Sequence, residues 1–269
     1  MVTPASIQLI IGFSLGILIS LVAWRVGVLS RSGAWAAALS GGLIFGLGGW
    51  PWALLLLTFF ISSSLLSRTF ARRKSGMNEK FSKGSRRDWG QVLANGSLGA
   101  LLVLAHALRP DMAWPWLAYA GAMAAVNADT WATELGVLSK TTPRLITTGK
   151  PVERGTSGGV SGLGSLAAAG GALIIALAAI LTVPGNWAFV VAVLLGGLSG
   201  SFFDSFLGAT VQAIYWCPVC QKETERFPNH TCGTPTTQVR GWDWLNNDWV
   251  NFACSIFGAL AALGIRALL

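Results

Sequence analysis

Three carboxylates stand inside otherwise apolar stretches of this chain. Asp129 and Glu134 lie in Asn127-Ala128-Asp129-Thr130-Trp131-Ala132-Thr133-Glu134-Leu135, and Asp204 in Ser201-Phe202-Phe203-Asp204-Ser205-Phe206. Ionisable groups in such surroundings are costly and mark a functional site by default. Carboxylate oxygens are the ligands that Mg²⁺ takes, so these three acids are candidate metal and catalytic groups. Asp129 and Glu134 are five residues apart, about 140° around a helix that turns about 100° per residue. They therefore line opposite walls of a cleft, or the helix breaks between them. Asp129 and Thr133 share one face, as do Asp204, Gly208 and Gln212 at intervals of four. The competing reading is that each acid pairs with an arginine and only ties helices together.

Cations and small residues stand near these acids in sequence. The stretch 140–161 contains Arg144, Thr147, Thr148, Lys150, Arg154, Gly155, Thr156, Ser157, Gly158 and Gly159 and leads straight into an apolar segment. Glycines let backbone N–H groups approach an anion, hydroxyls add donors, and a helix N-terminus adds its positive dipole end. The pattern GxxxxGK[ST] does not occur, so this is not a Walker A loop. Lys150 is the candidate catalytic cation and the other residues candidate phosphate ligands. The bland alternative is a solvated basic linker. Arg86 and Arg87 precede another apolar segment in which Gln91 and Asn95 share a face. Two guanidiniums hold a phosphate bidentately, or else contact lipid headgroups. Asn247, Asp248 and Asn251, at the start of the last apolar segment, complete the candidate set.

Cys217-Pro218-Val219-Cys220 is followed after nine residues by His230-Thr231-Cys232. Three thiols and an imidazole in this order close a tetrahedral structural Zn²⁺ site, with reduced, unligated thiols as the alternative. Four protein ligands leave no open position, which argues against catalytic zinc. Cys254 lies apart in an apolar segment.

The elements that must position these residues are membrane helices. Of 269 residues 53% are hydrophobic and 11% charged, with mean hydropathy +0.58. A soluble domain carries about 25% charged residues, so an ordinary soluble enzyme, a disordered chain and a disulfide-rich secreted module are excluded. Apolar segments approach the bilayer-spanning length of about 20 residues at roughly 5–24, 33–48, 51–67, 91–108, 113–135, 162–182, 187–211 and 249–267. Gly48-Gly49-Trp50-Pro51 is a tight reversal between the second and third. The first segment lacks a basic flank and a cleavage site, and reads as an anchor rather than a signal peptide.

The expectation is an all-α polytopic bundle of about eight spans, one integral membrane domain over 1–269, with 212–248 as a Cys/His loop within it. Lys and Arg number 19 against 11 acids, a net charge of +8. If alternating spans put Arg25 and Arg31 inside, 17 of the 19 basic residues, Arg72, Arg73 and Lys74 among them, fall on that side and only Arg109 and Arg266 outside. The positive-inside rule then places the long loops and the site in the cytoplasm of a prokaryotic inner membrane, with both termini external. The same rule accounts for the basic balance without nucleic acid. A homo-oligomer is compatible with this reading.

The motifs NADTWATELG (127–136), PRLITTGK (143–150), GTSGGVS (155–161), FDSFLGATVQ (203–212) and GQVLANG (90–96) resemble a family of integral membrane proteins that includes the phytyl-phosphate kinases of plants and cyanobacteria. The Cys/His loop and Asn247-Asp248-x-x-Asn251 are also similar to that family, and the resemblance runs over roughly 85–255. It implies transfer of the terminal phosphoryl group of a nucleotide, CTP by resemblance, to an isoprenoid monophosphate. The residues agree with that chemistry, which rests on positioning and charge neutralisation and needs no dedicated base when the acceptor is already ionised. Two other readings stay open: a CTP-dependent cytidylyltransferase on a lipid phosphate, and a transporter of an anionic lipid.

Overall fold

The computed structural model describes residues 3–70, 80–81, 83–84, 86–183 and 185–269. Arg72, Arg73 and Lys74, used in the orientation argument, lie outside the described residues. Among the described residues seven helices follow in order: α1 (Pro4–Arg25), α2 (Arg31–Phe70), α3 (Trp89–Leu108), α4 (Trp114–Gly136), α5 (Gly162–Ile180), α6 (Trp187–Thr210) and α7 (Asn247–Leu268).

Helix α2 is 40 residues long but is not one rod. Gly49 sits at φ 70°, ψ −163°, a conformation reserved for glycine, and Pro51 follows it. The two arms fold back on each other. A Cβ built on Gly41 would lie 3.7 Å from Leu56, and Arg87 touches Ser63 on one arm while its backbone meets Gly33 on the other. Along a straight helix Gly33 and Ser63 would be about 45 Å apart. The expected reversal is therefore present, and the seven helices comprise eight antiparallel segments.

Six of the helices are long and apolar enough to cross a bilayer. The exception is α4, and its environment explains why. Leu117 through Ala128 are buried without a break, so α4 is covered on every side and needs no lipid-facing surface. Alanine and glycine make that possible. A Cβ on Gly121 would stand 2.6 Å from the Ala262 side chain, and one on Gly197 2.7 Å from that of Ala124; close approach through small residues is how membrane helices associate. Helix α1 is the opposite case. Ile10, Ile17, Leu18 and Val22 are all more than half exposed, a surface that lipid accepts and water does not. Exposed tryptophans mark two belts, with Trp50, Trp114 and Trp187 at one end of the bundle and Trp89, Trp242, Trp244 and Trp249 at the other.

The long connections gather at the second end. Residues 140–160 form a hairpin, β1 (Arg144–Leu145) antiparallel to β2 (Gly159–Val160). The stretch after α6, expected as a loop, folds as a three-stranded antiparallel sheet. Its strands are β3 (Ile214–Cys217), β4 (Lys222–Thr224) and β5 (Thr237–Arg240), in the order β4-β3-β5. Lys80 fastens the three connections together. Its Nζ pairs with Glu153 at 2.6 Å, and its carbonyl accepts the Glu225 N–H at 2.8 Å. Arg109 and Arg266 end α3 and α7 at the opposite face.

Candidate functional site

Beneath the knitted connections lies a cavity of about 310 Å³, walled by the ends of α3–α7, the 154–161 strand arm and the start of the sheet segment. Asp129, Glu134 and Asp204 all line it. Helix α4 runs unbroken to Gly136, so of the two possibilities for Asp129 and Glu134 the opposite-wall arrangement is the one realised. Glu134 accepts a 2.7 Å hydrogen bond from Ser67 Oγ and feels the charge of Arg87. Asp129 faces the other way, within electrostatic reach of Asp204 and Glu225.

Glu225 is the residue that spacing did not pick out. In sequence it belongs to the charged run Lys222-Glu223-Thr224-Glu225-Arg226, which reads as a solvated loop. The turn out of β4 points it inward, where Oε1 accepts from Ser157 Oγ at 2.7 Å and from Gln212 Nε2 at 3.0 Å. Three carboxylates thus converge on one space. Asp204 Oδ2 is buried with no hydrogen-bond partner, and no lysine or arginine pairs with Asp129 or Asp204 among the described residues. Carboxylates gathered this closely are relieved by a cation between their oxygens or by taking up protons. The donor set, all hard oxygen, fits Mg²⁺, and Asp129, Asp204 and Glu225 are the residues that would hold it.

The same cavity holds the other half of the candidate set. Arg154, Gly155, Thr156, Ser157, Gly158 and Gly159 line the cavity. Gly158 is at φ +83°, and a Cβ there would meet the backbone and side chain of Ala209 at about 2.5 Å; only glycine lets this strand arm press against the end of α6. Ser161 caps α5 through the Gly164 N–H, and Ser161, Gly164 and Ser165 line the same wall. The positive end of the α5 dipole therefore opens on the cavity. Arg87, Gln91, Asn95, Gln212, Asn247 and Asn251 also line it. Asp88 and Gln91 form a reciprocal capping box at the start of α3. Burial pulls the Arg87 guanidinium down to about 10, with Glu134 opposing the shift, so it stays cationic at neutral pH.

Six expected residues are elsewhere. Lys150, Thr147 and Thr148 are exposed at the hairpin tip, away from the cavity wall. The tip turns outward because Leu145 closes it on both sides, its N–H bonding the Lys150 carbonyl and its carbonyl accepting from Gly149. Arg144 is exposed too, its guanidinium donating to the Gly149 carbonyl at 2.8 Å. Arg86 donates to the Leu29 carbonyl and braces the α1–α2 turn. Asp248 pairs with Lys83, which also bonds Asp88 at 2.9 Å and thereby clamps the starts of α3 and α7. Burial opposes the Lys83 charge, but hydrogen bonds to Asp248 and Asp88 outweigh it and hold the pKa above the usual lysine value. Lys83 and Ser67 also line the cavity. A lysine in a basic loop and a serine in an apolar helix carry no sequence signal of their own.

Outside the cavity, one donor atom from each of Cys217, Cys220, His230 and Cys232 lies within 4.8 Å of the others. Cys217 Sγ and His230 Nδ1 stand 3.6 Å and 3.3 Å from Cys232 Sγ. Hydrogen bonding with Thr234 and His230 pulls the Cys232 thiol down to about 6, toward the thiolate that a metal requires. The cluster is a candidate metal centre whose N/S donors fit zinc.

Fold and site together define a polytopic membrane protein with a charge-lined polar cavity at one membrane face. The chain belongs to the integral membrane protein family DUF92, whose family model matches residues 14–259. It is 33% identical to Protein PGR of Arabidopsis thaliana, over 94% of each chain. It is 32% identical to an uncharacterized membrane protein of Methanocaldococcus jannaschii, covering 76% of this chain and 83% of that one. With an uncharacterized membrane protein of Synechocystis it shares 31% identity over 91% of this chain and 80% of the other. No solved structure matches.

Proposed function

We propose that the protein is a membrane-embedded lipid monophosphate kinase, transferring the terminal phosphoryl group of a nucleoside triphosphate, CTP by resemblance, to an isoprenyl monophosphate. The observation that carries this reading is the meeting of acids and a cation- and glycine-bearing arm in one cavity. Asp129, Asp204 and Glu225 line it together with Arg154, the Gly155–Gly159 backbone and the α5 N-terminus, and Glu225 touches that arm through Ser157.

In this reaction an oxygen of the acceptor phosphate attacks the terminal phosphorus. The bridging P–O bond breaks, and its electron pair leaves with the nucleoside diphosphate. Phosphate monoesters lose their second proton near about pH 6, so the acceptor is already a nucleophile and the cavity needs no base. What the chain supplies is alignment and neutralisation of charge. Arg154, the glycine-rich backbone and the α5 dipole hold the nucleotide phosphates, while Arg87 meets the acceptor phosphate from the α3 side. Asp129, Asp204 and Glu225 would hold Mg²⁺, which would supply neutralisation of the nucleotide's negative charge. The excess of basic residues on the cavity side supports a cytoplasmic site, where nucleoside triphosphates are found.

The test is to incubate purified protein with isoprenyl monophosphates and each labelled triphosphate and to weigh the products. Prenyl diphosphate with nucleoside diphosphate is the expected pair. A nucleotidyl lipid with pyrophosphate identifies the cytidylyltransferase instead, and movement of unchanged lipid phosphate across a vesicle membrane without either product identifies a transporter. A further expectation separates the cavity wall from the hairpin tip. Arg154→Ala removes a charge-assisted contact worth about 1.5–3 kcal/mol, raising the apparent KM for nucleotide about tenfold or more. Lys150→Ala, an exposed change off the wall, stays within about twofold. Equal effects of the two in a nucleotide titration would overturn that assignment.

A further inference from the structure

A second cavity lies beside the first. It has a volume of about 180 Å³ and is walled by α1, both arms of α2 and the start of α3. Its lining is almost entirely apolar, with Phe45, Leu56 and Phe60 among its larger side chains, and it reaches Trp50 at the α2 reversal. From Ala37 to Trp50 it follows the helix axis for roughly 20 Å. Arg87, Gln91 and Asn95 line both cavities, so the apolar space ends on the groups that also face the acids.

Arg87 stands where the two cavities meet. Its Nη2 donates to Ser63 Oγ at 2.9 Å, and its guanidinium stacks over Phe59 at 5.2 Å. It makes no salt bridge within 4.0 Å with a carboxylate among the described residues. Asn95 Oδ1 beside it is buried without a hydrogen-bond partner. A cation and an orphaned polar atom at the mouth of an apolar slot match one kind of molecule, an anionic head on an apolar chain. The volume is below the about 300–1,000 Å³ of cavities that enclose drug-sized ligands, which suits one chain rather than two.

We infer that this slot holds the hydrocarbon tail of a single-chain lipid monophosphate, with Arg87 taking its phosphate at the junction of the two cavities. The inference builds on the kinase reading by assigning the acceptor's place, but binding alone tests it. Two glycines open the slot. A Cβ on Gly41 meets only the Leu56 side chain, at 3.7 Å, and one on Gly96 only Ser40 Oγ, at 3.8 Å. Larger residues therefore enter the slot rather than the backbone of a neighbour. The tail passes along these glycines toward Ala53 and Trp50, and the depth available beyond them sets the chain length accepted.

The experiment measures binding of prenyl monophosphates of five, ten and twenty carbons to the purified full chain in detergent, without nucleotide. Affinity is expected to rise with length. In Gly41→Leu and Gly96→Leu, twenty-carbon binding should fall about tenfold or more, since each CH₂ that loses its burial costs about fourfold, with five-carbon binding unchanged. Phosphatidate, with two chains, should not compete. As a check needing no variant, a photoreactive group at the chain end should crosslink to Phe45, Trp50 or Ala53. Crosslinks confined to the outer faces of α5 and α6, competition by phosphatidate, or an unchanged length preference in both variants would each overturn the slot. Loss of the kinase reading is a different result: chain-length-dependent binding with these crosslinks, but no phosphoryl transfer with any triphosphate.

Discussion

Asp129→Asn and Asp204→Asn should each lower phosphoryl transfer by at least about 100-fold, the loss that follows removal of one preorganised charge-stabilising group. Both variants should remain folded and monodisperse. The reason lies in how the acids are held. Asp204 Oδ2 is buried without a partner, and Asp129 and Glu225 lie close enough to repel it. A structural acid would be paired; an acid kept at a cost to the fold is there for what it binds. The signature is therefore double. Asp204→Asn should melt at the same or a higher temperature than the wild type while turnover collapses, because the change removes repulsion without removing volume. Glu225→Gln should act in the same direction and raise the Mg²⁺ concentration needed for half-maximal rate. Its side chain keeps the partners Ser157 and Gln212, so misfolding is not the expected cause. Asp111→Asn, in an exposed pair with Arg109 at the far end of the bundle, is the control and should leave activity unchanged. Near wild-type turnover in both Asp129→Asn and Asp204→Asn would remove the acids from the reaction.

How much of this was legible beforehand follows from where the information sits. Helices reveal themselves locally. The apolar run and its interruption at Gly48-Gly49-Trp50-Pro51 marked every span to within a few residues, and periodicity put Asp129 and Glu134 on different faces. Membership of α4 in the interior was not legible, because Trp116, Tyr119, Met123 and Val126 form a bulky stripe that suits lipid as well as protein. Nor was the hairpin at 140–160. Its composition suggested that all its cations and hydroxyls face one ligand, but a hairpin has two arms and a tip. Gly158 pins the second arm against Ala209 while Lys150 projects outward. The inward turn of Glu225 is the same lesson from the other side. It depends on a strand pairing between β3 and β4 and on the Lys80 carbonyl, contacts with partners up to 145 residues away in the chain. The Lys80 contact lies outside any local window around Glu225.

The Cys/His cluster leads to the second large effect, because Glu225 and Gln212 are carried by the segment it organises. If Cys217, Cys220, His230 and Cys232 bind zinc, the purified protein should contain about one equivalent. The cluster is built on β3, the centre of a sheet with strands of only three or four residues. A sheet this small has little core of its own, so metal-binding energy becomes its folding energy. Strong chelation, or Cys217→Ser, should lower metal content and thermal stability together, with proteolysis opening within 212–248 before the helices are cut. Activity should fall with them, since β4 and the turn after it hold Glu225 against Ser157 at 2.7 Å. Cys254→Ser should change neither metal content nor proteolysis, because Cys254 is buried in α7 and takes no part in the cluster. Metal analysis without zinc, together with ready alkylation of Cys217, Cys220 and Cys232 in the native protein, would overturn the assignment. The acids of α4 and α6 would then keep their place in the cavity, and the sheet would have to hold Glu225 by its backbone hydrogen bond to Lys80 and its own strand pairing alone.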